Sequence, residues 1–361
     1  MTALPPGATL GILGGGQLGR MLAMAAARLG YRVHVYEAGA APAAQVANVW
    51  TRAPWDDAAA LAAFGAACDV VTYEWENVPL AAIDAVGATV RPGRRALEVA
   101  QDRLTEKTFL AGLGLVTAPF ADLGDGDGDG EGPAVDAALE AVGLPAILKT
   151  RRLGYDGKGQ VRVADRAAAH AARLGGPAIA EGVVAFDREI SVIVARGMGG
   201  EVVAYDPGEN VHADGILRTT TVPSALPAAR RQDAALIAGR IASALDYVGV
   251  LGVELFDTDA GLVVNEIAPR VHNSGHWTEA GCVVDQFEQH VRAVMGLPLG
   301  DGARHADVVM ENLIGDDMDR LPALLADPAA RVHLYGKAEV RPGRKMGHVN
   351  RVRRDPARGR G

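Results

Sequence analysis

The chain has 361 residues and a formal net charge of −8, with 49% hydrophobic and 22% charged residues. This length predicts two or three lobes, and the acidic balance excludes a global basic field that would recruit a nucleic acid polymer or an anionic membrane. Uninterrupted apolar runs of about 18 residues are absent from the sequence, so no transmembrane segment is predicted. Two isolated cysteines and the lack of a basic leader are typical of a cytoplasmic protein.

A β-α-β unit is predicted at the start of the chain. Residues 8–13 form a short apolar run, helix formers repeat over 17–29, and residues 31–36 alternate as a strand. A further strand is predicted at 68–73. A parallel sheet is therefore expected in the first lobe.

The stretch Gly14–Gly19 reads G-x-G-x-x-G between the first predicted strand and helix. Glu37 follows 23 residues beyond Gly14, at the end of the next strand. This is the dinucleotide fingerprint, so an NAD-dependent dehydrogenase is one interpretation. Backbone amides at a helix N-terminus attract any phosphate, so another phosphorylated ligand is a second. A tight turn without a ligand is the third.

Beyond the first lobe, the sequence pattern alternates between helices and strands. Helices are predicted at 101–115, 134–142, 228–246 and 283–295, and strands at 146–150, 160–163, 178–181, 188–195, 249–256 and 262–267. The acidic, glycine-rich residues 122–133 predict a surface loop. Although Asp125, Asp127, Asp129 and Gly130 mimic the start of an EF-hand, the twelfth position is Asp136 and no helix leads in. The Arg/Gly-rich end, 351–361, is predicted to be frayed.

Lys149 lies at the end of a predicted apolar strand, where a lysine is costly to bury unless it meets an anion. The following segment, Gly154–Gln160, has three glycines in seven residues and adds Lys158. Such a loop can close over phosphates, although it lacks the Walker A spacing. A flexible hairpin tip is the alternative interpretation.

Two acidic residues lie on a predicted β-hairpin whose loop is 257–261. Glu254 then faces residue 264, and Glu266 is two residues along on the same face. Their carboxylates should repel, and magnesium would relieve the repulsion, with Asn265 as a further oxygen ligand if the strand bulges. Two solvated glutamates are the alternative, weakened by the apolar neighbours.

Polar donors follow this hairpin directly. Arg270 can bind a carboxylate or phosphate through two parallel hydrogen bonds, and His272 and Asn273 can donate to an oxyanion. Near the end of the chain, residues 341–348 carry four cationic or titratable side chains. They predict either a local anion pocket or a solvated basic turn.

The motifs together resemble the 5-(carboxyamino)imidazole ribonucleotide synthases, ATP-grasp ligases of bacterial and fungal purine synthesis. The block Asn265–Thr278 carries the most specific resemblance, and the glycine stretch alone is weak. The matching stretches follow the family's order over nearly the whole chain: Gly11–Met21, Thr72–Pro79, Asp102–Lys107, Lys149–Gln160, Asp214–Thr219, Asn265–Thr278, Asn312–Gly315 and Tyr335–Asn350.

This resemblance implies a mixed α/β and α+β architecture, the ATP-grasp fold. It comprises an N-terminal Rossmann-like domain (1–101), a small lid domain (102–187) and a C-terminal mixed-sheet domain (188–361), with ATP between the last two. The implied reaction joins bicarbonate to 5-aminoimidazole ribonucleotide through carboxyphosphate, with ATP becoming ADP and phosphate. Magnesium, or manganese in its place, a cytoplasmic location and a homodimer are also implied.

The resemblance also implies site residues. ATP contacts are assigned to Arg103, Lys149, Gly154, Tyr155, Asp156, Gly157, Lys158, Gly159, Gln160, Glu181, Gly182, Val183, Val184, Glu189, His212, Asn265 and Glu266. Metal ligation is assigned to Glu254 and Glu266. Catalytic contacts are assigned to Arg270, His272, Asn273 and Lys345, and ribonucleotide contacts to Gln17, Leu18, Glu74, Lys337 and Arg344. Gly182 departs from the bulkier residue usual in the family's adenine hinge.

Other classes remain open from the sequence. A formate-dependent glycinamide ribonucleotide transformylase or a biotin carboxylase would share the nucleotide residues but differ at Asn265–Thr278 and in the C-terminal basic stretch. A dehydrogenase leaves Lys149, Glu254 and Glu266 without a role. A non-catalytic regulatory relative is disfavoured by the intact acidic and basic residues.

Overall fold

The computed structural model describes residues 2–124, 133–154, 157–172 and 174–353. Within these ranges the strands form three sheets, of four, nine and four strands. No helix in this described part is both long and apolar enough to cross a membrane. Asp125, Asp127, Asp129 and Gly130, which mimic an EF-hand start, lie outside the described residues, as do Tyr155, Asp156 and 354–361.

The first lobe is a parallel sheet flanked by helices. Its strands are β1 (Thr9–Leu13), β2 (Arg32–Tyr36), β3 (Val49–Thr51) and β4 (Val70–Tyr73), and its helices are α1 (Gln17–Arg28), α2 (Ala58–Ala66), α3 (Leu80–Val86) and α4 (Arg94–Ala100). The sheet order is β3-β2-β1-β4. Helix α1 forms because Leu18, Met21 and Leu22 recur on one face, which is buried. The predicted β-α-β unit and parallel sheet are confirmed.

The middle lobe is an antiparallel sheet with helices. Its elements are α5 (Arg103–Gly112), β5 (Phe120–Asp122), α6 (Pro133–Val142), β6 (Ala146–Thr150), β7 (Gln160–Val163), α7 (Arg166–Ala171) and β8 (Ala178–Gly182), with sheet order β5-β8-β6-β7. The helix predicted over 101–115 is shorter. It begins at Arg103 because the Asp102 carboxylate accepts the backbone N–H groups of Leu104 and Thr105.

The third lobe is built on the nine-stranded sheet. Its strands are β9 (Arg188–Arg196), β10 (Val202–Ala204), β11 (Gly208–Ala213), β12 (Ile216–Val222), β13 (Gly249–Thr258), β14 (Gly261–Ala268), β15 (Asp307–Ile314), β16 (Ala330–Leu334) and β17 (Lys345–Arg353). Its helices are α8 (Ala228–Ala244), α9 (Thr278–Gly281), α10 (Gln286–Met295) and α11 (Leu321–Ala326). The main path runs β14-β13-β9-β11-β12-β15-β17-β16, and β10 pairs with β9.

Two predictions for the end of the chain need correction. The stretch 341–348 is not a single basic turn, because Lys345–His348 already belong to β17 and pair with β15 and β16. Residues 351–353 are not frayed, since they continue β17 and pair with β15. Burial along β17 supplies the physical reason: residues 346–350 are all buried between the neighbouring strands, and Met346 and Val349 are core side chains.

His290 joins the first and third lobes. Its Nε2 lies 2.8 Å from the Thr72 hydroxyl on β4, and its Nδ1 accepts the backbone N–H of Val250 on β13 at 3.0 Å. The ring is fully buried. Burial lowers the pKa of His290 to about 3, so the imidazole is neutral in the fold.

We therefore expect acid to weaken the folded state partly through His290. The unfolded chain binds a proton near pH 6.5 and the folded chain does not, so stability is full above pH 6.5 and is lost as pH falls toward 3. The loss from this group between pH 6.5 and pH 5 is about 2 kcal/mol. His290→Asn should reduce stability at pH 8 but give a flatter pH dependence in urea unfolding. Parallel curves for variant and wild type would contradict this assignment.

Candidate functional site

A cavity of about 690 Å³ lies where the three lobes meet. Residues from the glycine-rich turn, the lid sheet, the β13–β14 hairpin and the C-terminal strand converge on it. Its wall contains these predicted site residues: Gln17, Leu18, Glu74, Arg103, Lys149, Gly154, Gly157, Lys158, Gln160, Glu189, His212, Glu254, Asn265, Glu266, Arg270, His272, Asn273, Lys337 and Lys345.

The β13–β14 hairpin differs from the predicted register. Thr258 pairs with Gly261, so the turn is only two residues long and not 257–261. Leu255 then pairs with Val264, whereas Glu254 pairs with Glu266, so Asn265 is the extra residue of a β-bulge. The two glutamates are therefore directly opposite, and not offset by two residues as predicted.

The facing glutamates have opposite pKa shifts. Burial, together with the charge of Glu266, raises the pKa of Glu254 to about 7. Burial also opposes ionisation of Glu266, but the Arg103 guanidinium, with Lys149 and Lys107, holds the pKa of that carboxyl below its ordinary value. Arg103 Nη1 lies 3.0 Å from Glu266 Oε2. Nearby protein cations offset burial at Glu266, whereas at Glu254 the His212 and Arg270 charges do not offset burial and the repulsion from Glu266.

A buried lysine–glutamate–lysine group borders the hairpin. Lys149 Nζ lies 2.7 Å from Glu181 Oε2, and Lys107 Nζ lies 3.6 Å from Glu181 Oε1. Burial opposes ionisation of Glu181, but Lys107 and Lys149 hold its pKa below the ordinary value. Two cations against one carboxylate leave positive charge at the cavity wall, where an anion such as a phosphate would be stabilised.

Several predicted residues do not reach the cavity wall. Within the described residues these are Gly159, Glu181, Gly182, Val183, Val184 and Arg344. Glu181 is committed to the two lysines, and the N–H of Gly182 donates to the carbonyl of Pro119. Arg344 donates instead to the carbonyl of Glu339. The structure therefore does not place the predicted adenine hinge or Arg344 on the surface of this cavity.

Arg270 and His272 occupy the wall beyond the hairpin. Arg270 Nε donates to Glu76 Oε2 in a short ion pair, which keeps the pKa of Arg270 raised despite burial. Burial, reinforced by Arg270 and Lys345, lowers the pKa of His272 to about 3. Its Nδ1 accepts the N–H of Ser274, so Nε2 carries the proton and faces Glu254 Oε1 at 3.5 Å. His272 is therefore a neutral donor.

Glutamate side chains accept hydrogen bonds from the backbone amides of the glycine-rich turn. Glu74 accepts the backbone N–H groups of Gly16 at 2.7 Å and Gly19 at 3.0 Å, and Glu37 accepts that of Gly15 at 3.2 Å. These are amides that a dinucleotide pyrophosphate would need. The arrangement disfavours the dehydrogenase interpretation and also a role for these glycine amides in holding a ribonucleotide phosphate. Gln17 remains at the wall, where Lys337 donates to its side chain at 2.6 Å.

The cavity also contains residues that the sequence analysis missed. Glu76 alternates with Glu74 after β4, and two acidic residues at that spacing were the available signal. Phe186 and Phe256 stack with ring centroids 4.6 Å apart at the wall. They were hidden because they come from segments distant in sequence. Trp75, Asn77, Ile147 and Leu217 complete the missed side chains.

A second cluster of ligand-type side chains lies outside this cavity. Glu279, His333 and His348 bring their ligand atoms within 4.8 Å of one another. The two imidazole rings are parallel within 5°, with centroids 4.5 Å apart, so one ion cannot lie in both ring planes. His348 Nε2 lies 2.9 Å from Glu279 Oε2, and its Nδ1 lies 2.9 Å from the Tyr335 hydroxyl. The cluster is a hydrogen-bonded network that joins α9 to β16 and β17.

Three family models match consecutive parts of the chain. They describe a ribonucleotide synthetase preATP-grasp domain (residues 7–101), an ATP-grasp domain (108–287) and a phosphoribosylaminoimidazole carboxylase C-terminal domain (308–360). Together with the facing glutamates and the lysine-lined cavity, these matches define an ATP-grasp ligase, and they confirm the predicted fold.

Similar proteins narrow this class to one family. The N5-carboxyaminoimidazole ribonucleotide synthase of Brucella melitensis is 55% identical, with 98% of both chains covered. A crystal structure of the synthetase from Thermus thermophilus superposes with a TM-score of 0.87 at 45% identity, covering 95% of this chain and 93% of that one. The chain belongs to the N5-carboxyaminoimidazole ribonucleotide synthase family, as its motifs predicted.

Among the solved relatives, one was determined with both a nucleotide and a ribonucleotide bound. The synthase from Aspergillus clavatus, in complex with ADP and 5-aminoimidazole ribonucleotide, superposes with a TM-score of 0.87. It is 32% identical, with 96% of this chain and 94% of that chain covered.

Proposed function

We propose that this chain catalyses the ATP-dependent carboxylation of 5-aminoimidazole ribonucleotide with bicarbonate. The products are 5-(carboxyamino)imidazole ribonucleotide, ADP and phosphate, in de novo purine biosynthesis. One observation carries the proposal: facing carboxylates, flanking lysines and a polar Arg/His/Asn wall share a single cavity. The ADP and 5-aminoimidazole ribonucleotide bound by the Aspergillus relative support it.

The nucleotide end of the cavity lies between the lid sheet and the hairpin. Arg103, Lys149 and Lys158 would neutralise the phosphates, and Gly154, Gly157 and Gln160 would let the loop approach them. Gly157 has a φ of +76°, a conformation that other residues rarely adopt. Glu189, which lies 2.5 Å from His212 Nδ1, would bind the ribose with His212 nearby. The stacked Phe186 and Phe256 offer an apolar surface for the base.

Glu254 and Glu266 fit a hard divalent cation. Oxygen donors are what magnesium prefers, and a second cation would remove the repulsion that raises the pKa of Glu254. Asn265, the bulged residue, adds an amide oxygen beside them. We propose that these residues hold magnesium, with manganese as a substitute. When bound, the metal supplies charge neutralisation at the transferring phosphoryl group.

The acceptor end would bind bicarbonate and the ribonucleotide. A bicarbonate oxygen attacks the γ-phosphorus, the bond to ADP breaks, and carboxyphosphate forms. Carboxyphosphate releases carbon dioxide and phosphate, and the exocyclic amine attacks the carbon and loses a proton. Arg270, His272, Asn273 and Lys345 donate to the anionic oxygens along this path. Gln17, Leu18, Glu74 and Lys337 would orient the ribonucleotide.

The proposal also includes a cytoplasmic location and a homodimer. A cytoplasmic setting suits an enzyme of purine synthesis, and burial raises the pKa of the Cys68 and Cys282 thiols to about 12, which keeps both unreactive. Sedimentation velocity on the full chain measures the assembly state. A single species at monomer mass across micromolar concentrations would contradict the dimer.

ADP release tests the substrate assignment. We expect ADP production only when ATP, bicarbonate and 5-aminoimidazole ribonucleotide are all present, with each omitted in turn. Formate with glycinamide ribonucleotide should give no product, since that pair belongs to a related ATP-grasp enzyme. ADP release that does not depend on 5-aminoimidazole ribonucleotide would refute the assignment.

A further inference from the structure

The outer edge of β14 is covered by helix α5 instead of by another strand. The strand is the end member of the nine-stranded sheet: its inner edge pairs with β13, and its outer edge makes an isolated bridge to Thr117 at Val264 before α5 covers it. We propose that Glu106 and Lys107 on α5 form a clasp that holds the bulged backbone of β14 and so positions Glu266 opposite Glu254. This inference rests on the proposed metal role of the two glutamates.

The clasp grips the strand on both sides of Glu266. Lys107 Nζ donates to the carbonyl oxygen of Asn265 at 2.8 Å. One residue beyond Glu266, the backbone N–H of Ile267 donates to Glu106 Oε1 at 2.6 Å. Residues 265 and 267 therefore have side-chain partners where an edge strand would otherwise expose unpaired backbone groups.

The bulge at Asn265 explains why holding the backbone of β14 affects the position of Glu266. Without the extra residue, the register of the hairpin tip would place Asn265 opposite Glu254. A slip of one residue turns Glu266 to the other face of the sheet, since side chains alternate with a period of two. Fixing the backbone at Asn265 and Ile267 therefore selects the register in which the two carboxylates face each other.

Burial of the clasp argues against a purely packing role. The side chain of Lys107 is 1% exposed and Glu106 is 2% exposed, in a region where apolar residues would pack at lower cost. Lys107 also approaches Glu181, the partner of Lys149 at the nucleotide end. Neither residue lines the main cavity, so both are positioning residues and not catalytic ones.

Metal binding tests the clasp without relying on turnover. We would measure Mn²⁺ binding by electron paramagnetic resonance on the full chain, with and without ADP. Lys107→Met and Glu106→Leu each remove one hydrogen bond to the backbone. We expect the Kd for Mn²⁺ to rise by about 10-fold or more, the effect typical of lost outer-shell support. Thr108→Ala, at an exposed position of the same helix, should match wild type.

A conservative variant separates positioning from charge. Glu106→Gln keeps an oxygen that accepts the Ile267 N–H, so its Kd should stay within about threefold of wild type. It also provides a folded test if Glu106→Leu fails to give a cooperative thermal transition. Equal losses in Glu106→Gln and Glu106→Leu would show that charge, and not the backbone contact, is responsible, which overturns the clasp.

Measuring Mn²⁺ binding by Glu266→Gln in the same assay separates a failure of the clasp from a failure of the proposed metal site. If Glu266→Gln binds Mn²⁺ weakly while folded Lys107→Met binds it as tightly as wild type, the clasp is refuted. The proposed metal site is then still supported. Wild-type Mn²⁺ binding by Glu266→Gln overturns the metal site itself, and with it the proposed function of the hairpin.

Discussion

We expect Glu266→Gln to reduce kcat by at least about 1000-fold, the largest effect of any single substitution in this chain. Glu266 faces Glu254 across the hairpin and is kept ionised by Arg103. The amide retains the shape of the side chain but removes the charge that the cation requires. It also leaves the Arg103 guanidinium without its anionic partner. Steady-state ADP release with all substrates saturating measures the effect.

Two controls accompany this variant. Glu98→Gln makes the same chemical change at an exposed position of α4 and should leave kcat unaltered. Raising magnesium should restore part of the activity of Glu266→Gln if weaker metal binding is the cause. Near-normal turnover at ordinary magnesium would refute the metal role of Glu266.

Arg270→Met is expected to lower kcat by about 100- to 1000-fold while leaving ADP affinity close to wild type. Arg270 follows the hairpin and is held by Glu76, whereas the residues proposed to bind the phosphates, Arg103 and Lys149, come from the middle lobe. Its guanidinium is fixed by Glu76, so we expect it to stabilise charge that develops on the transferred carboxylate. Isothermal titration with ADP and bicarbonate-dependent turnover measure the two quantities separately.

The matched control is Arg94→Met, since Arg94 forms an exposed ion pair with Asp84 on the surface of the first lobe. It should change neither kcat nor ADP affinity, because exposed pairs contribute little. Glu76→Gln should produce a smaller loss than Arg270→Met, about 10-fold, since the arginine is retained but less firmly oriented. An Arg270→Met variant that loses ADP affinity as strongly as turnover would place Arg270 at the nucleotide instead.

Many residues of the cavity wall could be predicted because they lie in short, contiguous sequence motifs. Lys149, Gly154–Gln160 and Asn265–Thr278 are each contiguous, and their residue types make sense only beside an anion or a cation. Helix and strand positions were equally local, since periodic burial and N-caps such as Asp102 and Asp285 act within a few residues. Resemblance to the family then placed the separate motifs in one cavity.

Other features escaped the sequence because they depend on contacts between distant segments. The glycine turn carries a dinucleotide motif, and only folding brings Glu74 onto the amides of Gly16 and Gly19. Glu181 contacts Lys107 and Lys149, and the pairing with Lys107 was not predicted from the sequence. No local sequence pattern predicts such contacts, because they depend on which charged groups the fold buries next to one another.

The sequence by itself determined that this chain has a parallel first lobe, a lysine at the end of an apolar strand followed by a glycine-rich segment, and a pair of acidic residues on one hairpin. Alternation, glycine spacing and the placement of charge in apolar strands suffice for these, because each is a local property of the chain. Only the tertiary structure decided how the side chains of Glu254 and Glu266 are placed relative to each other. The bulge at Asn265 places Glu266 directly opposite Glu254, and that register depends on the pairing of β13 with β14 and on the contacts that α5 makes with the backbone of β14.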